Sequence, residues 1–190
     1  MYTFYTPQEA LFRLISGNNA YLKSNNSPGN ISPMVRAETA INGQHPYAVI
    51  LTCSDSRVPP EHIFSAGIGE LFVLRTAGNV VGDFELGTIE YGTEHLGASI
   101  VLVMGHSRCG AIAAALAGHA DGHIEDIVQE IRLGLNGAAD ETTAIYNNIL
   151  QSKRRITESP IVQNLLLAGK VSIVSAKYDI ETGKVDFLDC

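Results

Sequence analysis

The stretch that decides the fold is ASIVLVMGHSRCGAIAAAL, residues 98–116. Residues 100–104 form a short apolar run rich in β-branched side chains, which is typical of a strand buried on both faces of a parallel sheet. Residues 109–116 follow at once and are rich in alanine, the best helix former. A buried strand that leads directly into a helix is the building unit of a three-layer α/β fold. The stretch therefore predicts that fold class.

Similar apolar runs predict three more parallel strands, at residues 47–52, 71–74 and 171–175. Residues 184–188 alternate in polarity after the turn Glu181-Thr182-Gly183, which predicts an antiparallel edge strand. Apolar spacing and capping residues predict helices at residues 7–22, 84–96, 109–116, 124–135, 142–156 and 160–167. Residues 24–32 are rich in Ser, Asn, Pro and Gly, which predicts a loop between two helices.

These elements predict a single α/β domain over residues 1–190. Its three layers comprise a mainly parallel central sheet, with four parallel strands and one antiparallel edge strand, and helices on both faces. The first helix forms an N-terminal helical arm. Because its apolar face has no obvious place in one compact core, this helix favours a homo-oligomer.

The composition of the chain excludes several classes of protein. Of 190 residues, 45% are hydrophobic and 17% are charged, which favours a globular domain over a disordered chain. Twenty acidic and thirteen basic residues give a formal charge of −7, so we expect no nucleic-acid partner. The longest apolar run, residues 98–104, is far shorter than the roughly 20 residues of a membrane span. The N-terminus has neither a basic signal region nor an Arg-rich transit pattern, so we predict a cytoplasmic protein.

Cysteine and histidine residues predict a metal site. Three cysteines, Cys53, Cys109 and Cys190, are an odd number, which favours metal binding or catalysis over a disulfide framework. Cys53 ends the first predicted strand, and His106 and Cys109 follow the third, so all three reach the sheet edge where α/β proteins bind ligands. Three protein ligands with an open fourth position are typical of catalytic zinc. The alternative is that the two cysteines are small buried apolar residues and that His106 is a hydrogen-bonded polar residue. It does not explain why all three lie at the same edge of the sheet.

Longer motifs carry a resemblance to a known family. They are ILTCSDSRVPPEHIF (50–64), GELFVLRTAGN (69–79), VLVMGHSRCGA (101–111) and YDIETGKVDF (178–187), with Gly17-Asn18 in the first helix. Over nearly the whole chain, this order resembles the β-class carbonic anhydrases, in which CxDxR followed by HxxC holds zinc. The resemblance implies one Zn²⁺ per chain, held by Cys53, His106 and Cys109. It also implies reversible hydration of carbon dioxide to bicarbonate and a proton, in which zinc hydroxide attacks the carbon.

The resemblance implies a catalytic dyad, Asp55 and Arg57. The chemistry of these side chains agrees, because a carboxylate beside the zinc site can accept a hydrogen bond from the nucleophile and orient its lone pair. Arg57 can keep that carboxylate ionised and oriented through a charge-assisted pair. The alternatives are a surface salt bridge for Arg57 and a turn residue for Asp55.

The resemblance also places the substrate pocket at Gln44, Phe72 and Tyr91. Gln44 would donate to a substrate oxygen, and the two aromatic residues would line the pocket from a neighbouring subunit. A homodimer or a higher even oligomer, such as a homotetramer, is therefore implied. Without the resemblance, we would interpret Phe72 as a core residue of a strand and Tyr91 as a packing residue of a helix. The backbone around Gly110 lies at the start of a predicted helix. It either presents N–H donors to the substrate or only allows close packing of the helix.

Two other functions stay open at this point. Hydrolysis of carbonyl sulfide or carbon disulfide needs the same nucleophile on the same scaffold. A non-catalytic sensor of bicarbonate or redox state would use the zinc ion structurally, but it would have no use for an oriented carboxylate at Asp55. A nucleotide-binding α/β module lacks its phosphate loop here, because Gly67-Ile68-Gly69 precedes a strand rather than a helix.

Overall fold

A central sheet organises the computed structural model, which describes residues 5–23, 29–118 and 120–188. The strands are β1 (Ala48–Cys53), β2 (Leu71–Thr76), β3 (Ile100–His106), β4 (Ser172–Tyr178) and β5 (Val185–Phe187). They lie side by side in the order β2-β1-β3-β4-β5. The first four strands pair in parallel, and β5 pairs antiparallel with β4 at the edge. This arrangement confirms the predicted sheet.

Helices precede and connect the strands. They are α1 (Pro7–Lys23), α2 (Pro33–Asn42), α3 (Pro60–Ile63), α4 (Asp83–Glu90), α5 (Gly110–Ala117), α6 (Ile124–Leu135), α7 (Glu141–Thr157) and α8 (Pro160–Leu167). The side chains of Ser32, Asp140 and Ser159 each accept a hydrogen bond from an amide in the first turn of α2, α7 and α8, which fixes where these helices begin. Among the described residues, no helix has the length and apolar character needed to cross a membrane.

Side chains on the two faces of the sheet form two separate cores. Along β1, Val49 and Leu51 face one side, where they pack with buried residues of α4 to α8. Ala48 and Ile50 face the opposite side, where they pack with buried residues of α1 and α3. The strand side chains alternate because successive Cβ atoms of a strand point to opposite faces. Helices therefore cover both faces, and the predicted three-layer fold is confirmed.

The first helix has a place in the core, so the expectation that it would lack one is wrong. Ala10 and Leu14 of α1 are fully buried in the core on the second face of the sheet. The partners of this face come from distant parts of the chain, and local periodicity does not reveal them. In contrast, α2 buries none of its residues.

Several boundaries differ from the prediction for local reasons. Strands β2, β3 and β4 each extend past their apolar runs, because backbone pairing continues through polar residues such as Arg75 and His106. The helix predicted over residues 84–96 ends as an α-helix at Glu90 and continues as a π-helical turn, Tyr91–His95. Helix α3 was not predicted, since its four residues are too short for a helical period.

Candidate metal centre

Two neighbouring parallel strands bring the predicted ligands to one edge of the sheet. Cys53 is the last residue of β1 and His106 is the last residue of β3. The chain leaves β1 for β2 on one side and β3 for β4 on the other, so the site lies where the strand order reverses. Ligands of open α/β sheets usually bind at this position. Cys109 joins the site from the loop after β3, where it is the N-cap residue of α5.

The three side chains form a compact set of metal donors. One donor atom from each of Cys53, His106 and Cys109 lies within 4.8 Å of the other two, and all three residues are buried. Nδ1 of His106 lies 2.8 Å from the carbonyl oxygen of Ser107, which can only accept, so Nδ1 carries the ring proton. Nε2 of His106 is buried without a hydrogen-bond partner among the described residues. A free imidazole lone pair beside two thiols fits zinc, which prefers nitrogen and sulfur ligands.

The two thiols differ strongly in acidity. A hydrogen bond from Cys109 lowers the pKa of Cys53, despite the opposing effect of burial. The same contact, reinforced by burial, raises the pKa of Cys109. The contact therefore favours deprotonation of Cys53 over Cys109, and thiolates are the form in which cysteines bind metals.

Asp55 and Arg57 form a bidentate ion pair beside these donors. Nε and Nη2 of Arg57 donate to the two carboxylate oxygens of Asp55 at 2.9 and 2.7 Å, and the Arg57 amide donates to Oδ1 at 2.9 Å. The side-chain hydrogen bonds from Arg57 hold the pKa of Asp55 well below its usual range. Oδ2 of Asp55 lies 4.0 Å from Nε2 of His106. The carboxylate is thus ionised, oriented and adjacent to the metal donors.

Sequence reasoning missed two residues that support the site from β2 and the turn after it. Arg75 donates to the carbonyl oxygens of Cys53 and Asp55, at 3.1 and 2.6 Å. The buried amide of Gly78 donates to the sulfur of Cys53 at 3.3 Å. Both lie in the quoted motif GELFVLRTAGN, which was the available signal, but the motif alone does not say which groups they contact.

Within one chain, the structure separates three of the predicted pocket residues from the metal donors. Phe72 pairs with Val49 near the start of β2, whereas Cys53 pairs with Thr76 at its end. Tyr91 packs near Phe72, with ring centroids 6.1 Å apart, and Gln44 is exposed in the loop before β1. Gly110 is the first residue of α5, directly after Cys109. Cys190 lies outside the described residues.

Comparison with protein families and curated proteins gives consistent matches. Residues 48–185 match a family model described as carbonic anhydrase. The chain is 34% identical to carbonic anhydrase 2 of Mycobacterium tuberculosis over 161 residues, which cover 77% of this chain and 76% of the relative. It is also 34% identical to a carbonic anhydrase of Mycolicibacterium smegmatis over 164 residues, which cover 80% and 79% of the two chains.

Solved structures agree in fold. The β-carbonic anhydrase CafA of Aspergillus fumigatus superimposes with a TM-score of 0.74 at 26% identity, covering 83% of this chain and 81% of that one. A Coccomyxa β-carbonic anhydrase in complex with acetazolamide gives a TM-score of 0.71 at 28% identity, covering 84% and 86%. The matched family residues include β1, β3 and all three metal donors.

Proposed function

This chain belongs to the β-class carbonic anhydrase family, and we propose that it hydrates carbon dioxide reversibly to bicarbonate and a proton, with one Zn²⁺ per chain. The observation that carries the proposal is the buried donor set of Cys53, His106 and Cys109, in which Nε2 of His106 has no hydrogen-bond partner among the described residues. A structural zinc site closes its coordination with a fourth protein ligand. Within the described chain, the donor set comprises three ligating residues, which favours a catalytic site.

The donor atoms determine what a metal would do there. A zinc ion held by two thiolates and an imidazole supplies a Lewis acid that makes water nucleophilic near neutral pH. The Ser107 carbonyl fixes the tautomer of His106, so the ring presents Nε2 to the ion. The Gly78 amide withdraws charge from the Cys53 sulfur through its hydrogen bond.

Asp55 directs the nucleophile in this proposal. Its carboxylate accepts a hydrogen bond from the attacking water and so points the oxygen lone pair at the substrate carbon. The bidentate contact with Arg57 prevents the carboxylate from rotating and keeps it ionised. An oriented carboxylate beside the donor set also favours an enzyme over a non-catalytic sensor.

We further propose that the pocket is completed by a second copy of the chain. Cys53 lies at one end of the paired strands β1 and β2. The predicted pocket residues lie toward the other end, so within one chain they are too far away to line the site: Gln44, Phe72 and Tyr91. Helix α2 buries no residue, and apolar side chains in and near it are exposed. A β-carbonic anhydrase of Sordaria macrospora with the same fold is described as tetrameric. These observations support a homodimer, or an even oligomer built from it, as part of the proposal. A cytoplasmic location stays a prediction.

Parallel assays of substrate conversion test the proposed reaction. The zinc-loaded chain is given carbon dioxide, carbonyl sulfide or carbon disulfide, and proton release and hydrogen sulfide release are followed. We expect fast carbon dioxide hydration, which the Cys109→Ser variant loses. Hydrogen sulfide release without carbon dioxide hydration would assign the alternative hydrolase activity. A zinc-loaded chain without any turnover would favour the sensor.

A further inference from the structure

A buried hydrogen bond to the Cys53 sulfur depends on a turn of unusual backbone conformation. The turn Ala77–Asn79 follows β2, and its two last residues, Gly78 and Asn79, have positive φ values of 67° and 47°. This left-handed conformation suits glycine, and asparagine is one of the few other residues that adopt it readily. It aims the Gly78 amide at the sulfur, 3.3 Å away.

Two residues of α7 hold this turn in place. The side-chain amide of Asn148 donates to the carbonyl oxygen of Gly78 at 2.7 Å, and the Ser152 hydroxyl donates to the carbonyl oxygen of Asn79 at 2.9 Å. Asn148 and Ser152 are one helical turn apart, so they lie on the same face of α7 and reach consecutive peptide groups. Both are almost fully buried, with exposed fractions of 1% and 3%.

Packing on the other sides leaves the turn little freedom. A Cβ atom on Gly78 would lie 2.7 Å from Cδ1 of Ile131 and 3.1 Å from Cβ of Ala111, so α5 and α6 press against it. Packing alone limits where the turn can move, but it does not set the direction of each peptide group. The hydrogen bonds to the two carbonyl oxygens orient the Gly78–Asn79 and Asn79–Val80 peptide groups. They hold the Gly78 amide indirectly, because the peptide group that carries it is joined to them at Gly78.

We propose that Asn148 and Ser152 are positioning residues for the metal centre: they orient the Ala77–Asn79 turn so that the Gly78 amide donates to the metal-binding sulfur of Cys53. The inference rests on the proposed metal binding by Cys53, His106 and Cys109. A hydrogen bond to a ligating thiolate draws charge from the sulfur and reduces its donation to the ion. Asn148 and Ser152 thereby tune the metal without contacting it.

Cobalt substitution gives a spectroscopic test. Co²⁺ bound to thiolates shows a sulfur-to-cobalt charge-transfer band, whose energy falls when the sulfur donates more strongly. We expect Asn148→Ala and Ser152→Ala to shift this band to longer wavelength, because the sulfur then donates more strongly. We also expect them to weaken Zn²⁺ binding about tenfold or more, because Cys53 is less well positioned without the supported turn and this cost outweighs the stronger donation. Zinc affinity is measured by competition with a chelator.

A neighbouring asparagine supplies the matched control. Asn147 also lies on α7 and donates its side-chain amide to a carbonyl oxygen, that of Leu135 at 2.8 Å, away from the turn. We expect Asn147→Ala to leave both readouts unchanged. If it shifts the band as much as Asn148→Ala does, a general loosening of α7 explains the effect and the inference is wrong.

Two further outcomes separate this inference from the proposed function. An unshifted band and unchanged affinity in the Asn148→Ala and Ser152→Ala variants would overturn the positioning role while leaving zinc binding intact. A wild-type chain that binds neither Co²⁺ nor Zn²⁺ would overturn the proposed function itself. If Asn148→Ala does not fold, Ser152→Ala carries the test, because it removes a single hydroxyl group.

Discussion

The two nitrogen atoms of the His106 imidazole have different roles. Nδ1–H donates a hydrogen bond to the Ser107 carbonyl, which leaves Nε2 with a buried lone pair next to two sulfurs. Such a group is costly in a protein interior unless something binds it.

Removing this imidazole is expected to remove zinc and activity together. With three protein ligands, His106→Ala leaves two, which hold zinc too weakly to retain it. We expect less than one zinc per chain by metal analysis and a loss of carbon dioxide hydration. His62→Ala, which removes an exposed histidine, is the control and is expected to keep both. Full zinc occupancy and full turnover in His106→Ala would show that the ligand set is wrong.

Neutralising Asp55 is expected to slow turnover without releasing zinc. In Asp55→Asn the charge and one acceptor oxygen are lost, whereas the metal donors remain, so we expect a decrease in kcat/KM of roughly 10² or more. Stopped-flow hydration and metal analysis measure the two quantities. The control is Glu181→Gln, which neutralises an exposed carboxylate paired with Arg108 at 2.7 Å. Equal kcat/KM values for Asp55→Asn and the wild type would show that the Asp55–Arg57 pair has only a structural role.

Helix bounds and the grouping of the metal donors were predictable, because local sequence pattern and sheet geometry determine them. Helices α6 and α8 were predicted with the observed bounds, because capping and apolar spacing mark their ends. The metal donors were predicted together, since parallel strands end at one edge. The contacts of Asn148 with Gly78 were not predictable, because they join residues 70 positions apart and no periodicity marks them.

Asn18 of α1 illustrates the same limit, because it joins three elements. Its side-chain amide donates to the carbonyl oxygens of Ile63 and Gly183, at 3.2 and 3.0 Å, and its Oδ1 accepts from the Val185 amide at 3.0 Å. It therefore links the helical layer to the end of α3 and to the hairpin of β4 and β5. The residue is 4% exposed, so water cannot replace these bonds.

We expect Asn18→Ala to lower the free energy of unfolding by about 2–4 kcal/mol, because buried partners lose their hydrogen bonds at roughly 1 kcal/mol or more each. Urea unfolding of the zinc-loaded protein measures this, with an unchanged m-value as the check on two-state behaviour. Asn164→Ala, at an exposed position of α8, is the control and should change stability little. A change of less than about 0.5 kcal/mol in Asn18→Ala would contradict the linking role.

Among the helices that the structure describes, α2 is the one that buries no residue within a single chain. It has 10 residues and buries none of them, although Met34 and Ile41 are 75% and 83% exposed. A helix of this length is marginal by itself in water, and apolar packing normally stabilises it. Gln44, Phe72 and Tyr91 also lie toward the opposite end of the sheet from Cys53, His106 and Cys109 of the same chain. One contact between two copies would cover the helix and complete the pocket.

We therefore expect the chain to be a dimer or a larger even oligomer, and Ile41→Glu to dissociate it, because a buried unpaired carboxylate in an interface is costly. Light scattering measures the mass, and carbon dioxide hydration is followed across the same protein concentrations. If subunits share the pocket, activity should fall as the oligomer dissociates, while zinc content stays near one per chain. Leu133→Glu, at an exposed position of α6, is the matched control and should change neither. A fully active monomer would show that each chain holds a complete site, and Gln44, Phe72 and Tyr91 would then serve packing alone.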